Sequence, residues 1–567
     1  MRNLLANAKD FFCIFVVFFL LIFLFNHGLW NTFFQQDEWN GFGTVIALSH
    51  GNPLNWFSIL GVYHFIPFSQ FFIFLLYKLF GYQAQYFALV SLTLHSIATT
   101  FVYFVSRKLV KSSLIGLIIA IVFGFNANTS QAYLHLAIFP ATITCFIAVM
   151  AFLLYVVNVS KKHIFSLKDA LILLTLFYAS ISLREDGLVL ILIFPLWLLL
   201  FQGIKHQIKN KKFLFVFSSG VFLFFLFRVV IQIFSTFAKE VATQNYVAIV
   251  AQNLLWFFPK ITAQIFINGN SLLVFLLNNT QVFFGTPLSL DTVVQYLLPT
   301  TLLLIFLAVL VLIFLGLRLE KNATSKKVIL FGIGWTIGYS ILLSSVGRQM
   351  NLVESRYLYF PSFGILLATI ISLGSIRKLV SLRYQHFDKA IKLFLLFALI
   401  VFLANSYKDI RTTVQNDIVI GNVRKTIINS LVRTYPTLPK KAIIFVRCKT
   451  VCHKNEQFGI TSKAVLPFSS GAGYIFLLQY AQKNENGYAD FFKKQKNDTE
   501  FLWDFESEGY KESNGFGYGY FIHENLLRKA IQDYKLSKEV IIGLEYNEDT
   551  FTLRDISSQV QQEIFAN

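Results

Sequence analysis

Long apolar runs separated by short basic loops fill the first 405 residues of this chain. They run from Phe11 to Leu29, Tyr86 to Ser106, Leu114 to Phe125, Leu136 to Asn158, Ala170 to Leu183 and Leu188 to Gln202. They continue from Phe213 to Phe234, Tyr296 to Leu317, Val328 to Val346, Tyr357 to Ile376 and Ala390 to Asn405. A bilayer core takes roughly 20 helical residues to cross, so the pattern predicts about eleven transmembrane helices. The apolar stretch from Pro67 to Phe80, bounded by Pro67 and Gly81, is short for a span and is expected to lie in the interface. Between Ser235 and Asp291, the runs Ala248 to Phe258 and Leu272 to Phe284 read as amphipathic lids over a long loop.

From Ser406 onward the pattern changes. Charge density rises, a strand-like run appears at Ala442 to Val446, and polar helical segments follow at Asn525 to Tyr534 and Ser557 to Ile564. The expected architecture is therefore mainly α and polytopic: a membrane domain over 1–405, then a soluble α/β domain over 406–567.

Composition agrees with the pattern, since 55% of residues are hydrophobic and only 14% charged. A net charge of +19 would suggest nucleic acid in a soluble chain. Here the cations sit in loops between apolar runs, as the positive-inside rule requires, so no nucleic-acid partner is implied. The 65 phenylalanines carry no functional weight, because Phe, Leu and Ile are interchangeable against lipid.

With Arg2 and Lys9 before the first run and no small-residue cleavage site after it, that run is expected to be a retained anchor with a cytoplasmic N-terminus. About twenty cations then fall in the cytoplasmic loops, against six in the outer ones: Lys78, Arg184, Lys239, Lys260, Arg348 and Arg356. An odd number of spans puts the C-terminal domain outside the cytoplasmic membrane.

This orientation gathers the unusual charges on one face: Asp37 and Glu38 just after the first run, Arg184 with Glu185 and Asp186, and Glu354 with Arg356. Arg228, within Phe-Leu-Phe-Arg-Val-Val-Ile, is a cation inside a span and needs a partner or a bound anion. Cys13 and Cys145 lie in spans. Cys448 and Cys452, four apart in the outer domain, are placed where a disulfide is permitted. No Gly-rich phosphate loop, Asp-x-Asp or histidine cluster declares a nucleotide or metal site, and metal dependence stays open.

The acidic pair after a first span, the segment Tyr-His-Phe-Ile-Pro with His64 and Pro67, the close Leu79-Phe80-Gly81, and the run Glu354-Ser355-Arg356-Tyr357-Leu358-Tyr359-Phe360-Pro361-Ser362 form a recognisable set. Together they resemble the GT-C superfamily of integral membrane glycosyltransferases, such as protein O-mannosyltransferases and aminoarabinose transferases. The resemblance covers Phe11 to Ile376. Two departures stand out: His64-Phe65-Ile66-Pro67 replaces the family's His-Pro-Pro or Lys-Pro-Pro, and the C-terminal domain has no 34-residue repeat.

The resemblance implies transfer of a sugar from a polyprenyl-phosphate donor, acting as co-substrate, to a hydroxyl of a protein, glycan or lipid outside the cytoplasmic membrane. It implies Asp37 as general base and Glu38 beside it. Arg356 and Arg228 would hold the donor phosphate, a guanidinium being able to grip two oxygens. His64, Arg184, Glu185, Asp186, Glu354 and Tyr357 would contact donor or acceptor. The bland readings compete: a solvated acidic loop, a Glu354–Arg356 ion pair, snorkelling by Arg228, helix capping by the 184–186 cluster, and interfacial aromatics at His64, His95 and His135. A transporter or flippase of lipid-linked sugars is the alternative class, and a membrane-anchored assembly protein a third.

Overall fold

The structure is a computed structural model that describes residues 2–34, 38–39, 41–43, 46, 67–137, 140–159, 165–202, 211–234, 246–284, 286, 288–344, 351–384, 387–448, 472–483, 487–495, 508–513, 515–547, 550 and 552–566. Among these, eight helices are long and apolar enough to cross a membrane: Ala8–Phe25, Ala84–Val110, Pro140–Val159, Glu185–Gln202, Leu290–Leu319, Ala323–Ser344, Ser355–Leu382 and one beginning at Asp388. A ninth arises if Ala248–Phe266 and Gly269–Val282, which meet at 86°, count as one broken span.

The number eleven is thus not reproduced among the described residues. Two of the expected spans form short helices, Ser113–Gly124 with 12 residues and Leu167–Leu183 with 17, and the helix Lys211–Phe234 covers a third. The helix Pro67–Phe80 has the bounds its flanking Pro and Gly predict. It turns Phe68, Phe71, Leu75 and Leu79 outward at helical spacing and buries Ser69, Gln70, Ile73 and Leu76. In the long loop, the first lid is instead a 21-residue helix, Tyr246–Phe266, that continues through Pro259. It packs against Leu298–Leu319 and Ala323–Ser344.

A polar knot sits in the middle of the apolar core. His95 is wholly buried; its Nδ1 lies 2.8 Å from the Tyr359 hydroxyl and its Nε2 2.9 Å from the Gly124 carbonyl. A carbonyl can only accept, so Nε2 carries the proton and Nδ1 accepts from Tyr359. The ring also stacks on Tyr133, centroids 4.2 Å apart. Three segments far apart in sequence are thereby fixed to one another.

The last membrane helix, Phe387–Thr434, has 48 residues and is about 72 Å long, more than twice the bilayer core. Its apolar part ends near Asn405, and its far end carries the C-terminal domain. There five strands make one sheet in the order β2-β3-β1-β4-β5: β1 Lys441–Cys448, β2 Gly509–Ser513, β3 Phe516–Phe521, β4 Ile541–Asn547 and β5 Thr552–Asp555. The three central strands are parallel and the outer pairs are antiparallel hairpins. Burial follows, with Ile443, Ile444, Phe445 and Val446 of β1 all inside, as a strand covered on both faces requires. The strut helix ends on this domain: the Tyr435 hydroxyl donates to Asp555 at 2.6 Å, and Tyr480 donates to the Tyr435 carbonyl at 2.8 Å.

Candidate active site

Glu38 is fully buried, although it is a carboxylate in an aromatic neighbourhood. Its neighbour Trp39 packs on Phe33, Phe34, Phe42 and Tyr82, and Phe42 packs in turn on Tyr77. Burying a charge requires strong compensation. Part of it comes from the Ala137 amide, which donates to Glu38 Oε1 at 2.6 Å. Asp37 and His64 lie outside the described residues, as does the side chain of Arg228, whose backbone is within Lys211–Phe234. Cys452 is likewise outside them.

Ala137 ends a strap, residues 126–137, that crosses from the acidic loop to the loop of the second motif. Asn126 and Asn128 both donate to the Ile265 carbonyl, at 3.0 and 3.2 Å. Ser355 Oγ donates to the Asn128 carbonyl at 2.7 Å. The Arg356 amide donates to Gln131 Oε1 at 3.3 Å, and Ser91 Oγ holds the Tyr133 carbonyl at 2.7 Å. Through Tyr133 the strap is stacked on His95. One short segment therefore holds Glu38 at its end, through Ala137, and the Ser355–Arg356 stretch of the motif loop, through Asn128 and Gln131.

The second-motif loop is braced from its other side by Gln264, in the bent helix pair. Its amide donates to the Val353 carbonyl at 3.0 Å and accepts from the Val353 amide at 2.9 Å. Within the loop, Arg356 pairs with Glu354 at 2.6 Å, and the Arg356 guanidinium stands 5.0 Å from the centre of the Tyr357 ring. The Arg184 guanidinium is 6.0 Å from that same ring. Two guanidiniums thus lie within 6.0 Å of the Tyr357 ring centre, within the reach of cation–π attraction.

Arg184 is the last residue before a tight turn, Glu185–Val189, so the capping reading of this cluster describes its backbone. Its side chain does more. It pairs with Asp186 and donates to Thr142 Oγ1 at 2.6 Å, while the Tyr339 hydroxyl donates to the other Asp186 oxygen at 2.6 Å. Arg184, Asp186, Tyr339, Tyr357, Arg356 and Glu354 therefore form one continuous polar patch at the ends of four apolar helices. The ion pair proposed as the bland reading of Arg356 is present, and Arg356 keeps 16% of its side chain exposed.

Three contributors carried no signal that spacing alone would reveal. Gln131 and Gln264 are single amides in ordinary surroundings, and Tyr339 is one aromatic among many. His95 was readable only as a histidine within an apolar run. Among the described residues no three His, Cys, Asp or Glu side chains converge on a common point.

Fold and site together define a multi-pass helical membrane protein with a buried carboxylate, an arginine-bearing patch and a C-terminal α/β domain. No family model matches the chain, and no curated protein matches it. Among solved structures it is similar to ArnT from Cupriavidus metallidurans. In the apo state the identity is 13% over 78% of this chain and 82% of that one, with a TM-score of 0.40. With undecaprenyl phosphate bound, identity is 11% over 90% and 97%, TM-score 0.42. It is also similar to the oligosaccharyltransferase AglB from Archaeoglobus fulgidus in complex with an inhibitory peptide and a dolichol-phosphate, at 12% identity over 89% and 74%, TM-score 0.41.

Proposed function

We propose that this chain is an integral membrane glycosyltransferase of GT-C type. It moves a sugar from a polyprenyl-phosphate-linked donor to an acceptor hydroxyl on the membrane face away from the cytoplasm. The membrane part, 1–405, is the catalytic unit in this reading, and 406–567 an extracytoplasmic domain that serves it. The observation that carries the reading is the strap: a buried carboxylate, Glu38, and an arginine-bearing motif loop are bound to the same twelve residues. Membrane proteins retain such buried charge where it acts.

In the reaction, the Asp37 carboxylate takes the proton of the acceptor hydroxyl as its oxygen bonds to the anomeric carbon. The bond from that carbon to the phosphate oxygen breaks, the electron pair leaves with the polyprenyl phosphate, and the sugar is inverted. Glu38 orients the acceptor or a sugar hydroxyl. Arg356, with Arg228, receives the negative charge on the leaving phosphate, and a fixed guanidinium stabilises that charge without reorganising. Arg184, Asp186 and Tyr357 line the approach, with His64 and Glu185 as further contacts, and Glu354 holds Arg356 until phosphate displaces it.

The test is sugar transfer in proteoliposomes with a panel of undecaprenyl-phosphate-linked hexoses and pentoses. Asp37→Asn is expected to abolish transfer while donor binding persists. Undiminished turnover removes Asp37 from the mechanism.

One observation favours the second reading, a flippase: the pair Ala248–Phe266 and Gly269–Val282 has the form of an interrupted span. Net movement of lipid-linked sugar across vesicles without any acceptor would support that class instead.

A further inference from the structure

The short helix Pro67–Phe80 has two faces of different chemistry. Phe68, Phe71, Leu75 and Leu79 are exposed and apolar, whereas Ser69, Gln70, Ile73 and Leu76 are buried. Gln70 stands apart on the buried face. It is 2% exposed, and among the described residues neither its amide nitrogen nor its amide oxygen has a hydrogen-bond partner. A buried primary amide with both ends open is costly, and native proteins hold very few polar groups in that condition unless something else completes them.

The place of Gln70 in the helix narrows what completes it. Pro67 stands at the first helical position and has no N–H, while the amides of Phe68 and Ser69 lie in the first turn, where no intrahelical acceptor exists. No acidic side chain in that turn takes them. Helical side chains lean toward the N-terminus, so the Gln70 amide is carried back over this same end, on the buried face. Backbone donors and an amide that both donates and accepts are therefore gathered at one helix end.

The other end of the same face reaches the surroundings of Glu38. Tyr77, two turns on from Gln70, lies 5.7 Å from the Phe42 ring and 5.5 Å from the Tyr82 ring, and Tyr82 lies 5.2 Å from Trp39, the neighbour of Glu38. Gln70 and Tyr77 are about 10.5 Å apart along the helix axis. The helix also packs on Leu167–Leu183, which leads into Arg184.

The unmet bonds select the chemistry of the ligand. A phosphate oxygen only accepts, so it would satisfy the Gln70 nitrogen and leave the amide oxygen facing negative charge. A hydroxyl both gives and takes a bond, which is what a primary amide in this setting requires.

We propose that the first turn of Pro67–Phe80 is a carbohydrate subsite, in which the Gln70 amide donates to one sugar hydroxyl and accepts from the same hydroxyl or the next. The proposal rests on the transferase reading for calling the hydroxyl a sugar's. That hydroxyl belongs to the donor sugar or to a glycan acceptor, and the probes separate the two.

The experiment compares full-length wild type, Gln70→Leu, Gln70→Glu and the exposed control Lys78→Gln in nanodiscs. Affinities are measured for undecaprenyl phosphate alone, for a panel of undecaprenyl-phosphate-linked hexoses and pentoses, and for a panel of methyl glycosides. Thermal melts are run without ligand. Two ordinary hydrogen bonds are worth roughly tenfold or more in affinity. Gln70→Leu is therefore expected to lose roughly tenfold or more for at least one sugar-bearing probe that wild type binds, with undecaprenyl phosphate held within about twofold. Gln70→Glu, which keeps an acceptor but not the amide's donors, should lose sugar affinity as well, and Lys78→Gln should match wild type. Loss confined to the lipid-linked sugars assigns the hydroxyl to the donor, and loss confined to the methyl glycosides assigns it to the acceptor. Without ligand, Gln70→Leu should melt no lower than wild type, because an apolar group of similar size replaces an amide that bonds nothing among the described residues.

Sugar affinities unchanged in Gln70→Leu overturn the subsite, as does wild type that binds no sugar-bearing probe. Equal loss for undecaprenyl phosphate overturns it too, and makes Gln70 a phosphate contact. A lower melting temperature in both Gln70→Leu and Gln70→Met makes the amide structural and also overturns it; where only the branched Leu fails to fold, the Met variant decides on the same probes. Should no lipid-linked sugar be turned over while Gln70→Leu still loses sugar affinity, the transferase reading falls and the subsite stands.

Discussion

The Tyr339 hydroxyl donates to the Asp186 carboxylate at 2.6 Å across 153 residues of chain. Asp186 also pairs with Arg184, which in turn holds Thr142. The carboxylate is thus committed on both oxygens, and its part in the patch is to aim the Arg184 guanidinium at Tyr357. Tyr339→Phe deletes one donor while keeping the ring. A hydrogen bond to a charged group is worth about 1.5–3 kcal/mol, so the variant should lose about that much stability in detergent melts. Transfer activity should fall in step with displacement of Arg184, and double variants with Asp186→Asn should be less than additive because both act through one contact.

Glu354 occupies the guanidinium that the proposed mechanism assigns to the donor phosphate. Removing its charge takes away a competitor. Glu354→Gln should tighten undecaprenyl phosphate binding severalfold and slow its release, whereas Arg356→Lys, which loses the two-pronged grip, should weaken it by roughly tenfold or more. Titration of nanodisc-embedded protein with undecaprenyl phosphate measures both. Equal weakening by the two variants would mean that the pair is structural.

Gln264 makes two bonds to Val353, one in each direction. Gln264→Leu keeps the volume but leaves the amide and carbonyl of Val353 without these partners. The expected cost is about 2 kcal/mol, read as faster hydrogen exchange across 351–358 with the spans unchanged. If the bent helix pair moved independently of the motif loop, exchange there would not respond.

These predictions fall on residues of unequal legibility. Long apolar runs specify helices because the membrane leaves the backbone no other way to satisfy itself, and most helix bounds lie near those the runs predict. Pro67 and Gly81 marked a helix to the residue for the same reason that they break one. Charged residues in the second motif were legible, since few charges interrupt such a sequence and each must be accounted for. What was not legible is which of them meet. Tyr339 reaches Asp186, and Gln131 reaches Arg356, only through packing between distant helices, and neither residue type is rare enough to attract notice. Gln70 left a trace that periodicity could have caught, because an amide falls on the buried face at 69, 70, 73 and 76 rather than among the outward Phe68, Phe71, Leu75 and Leu79. The count of spans suffered from helices such as Ser113–Gly124, whose apolar stretch is real but whose length is half a crossing.

Glu38 offers the sharpest separation of chemistry from architecture. Its Oε1 accepts the Ala137 amide at 2.6 Å, a short bond of the charge-assisted kind. Glu38→Gln preserves an acceptor at that position and so preserves the strap, but it removes the negative charge. Glu38→Ala removes both and leaves the Ala137 amide buried without that acceptor, at a cost of about 1–3 kcal/mol. If Glu38 serves by holding the strap and orienting a hydroxyl, the Gln variant should keep the stability of wild type and lose roughly tenfold in kcat, while the Ala variant should lose both. If Glu38 were itself the base, Gln would be as inactive as Asp37→Asn is expected to be, and Asp37→Asn would retain activity. Thermal melts of the four proteins, paired with transfer rates at saturating donor, distinguish these outcomes because only the strap's loss lowers stability and only the charge's loss leaves it intact.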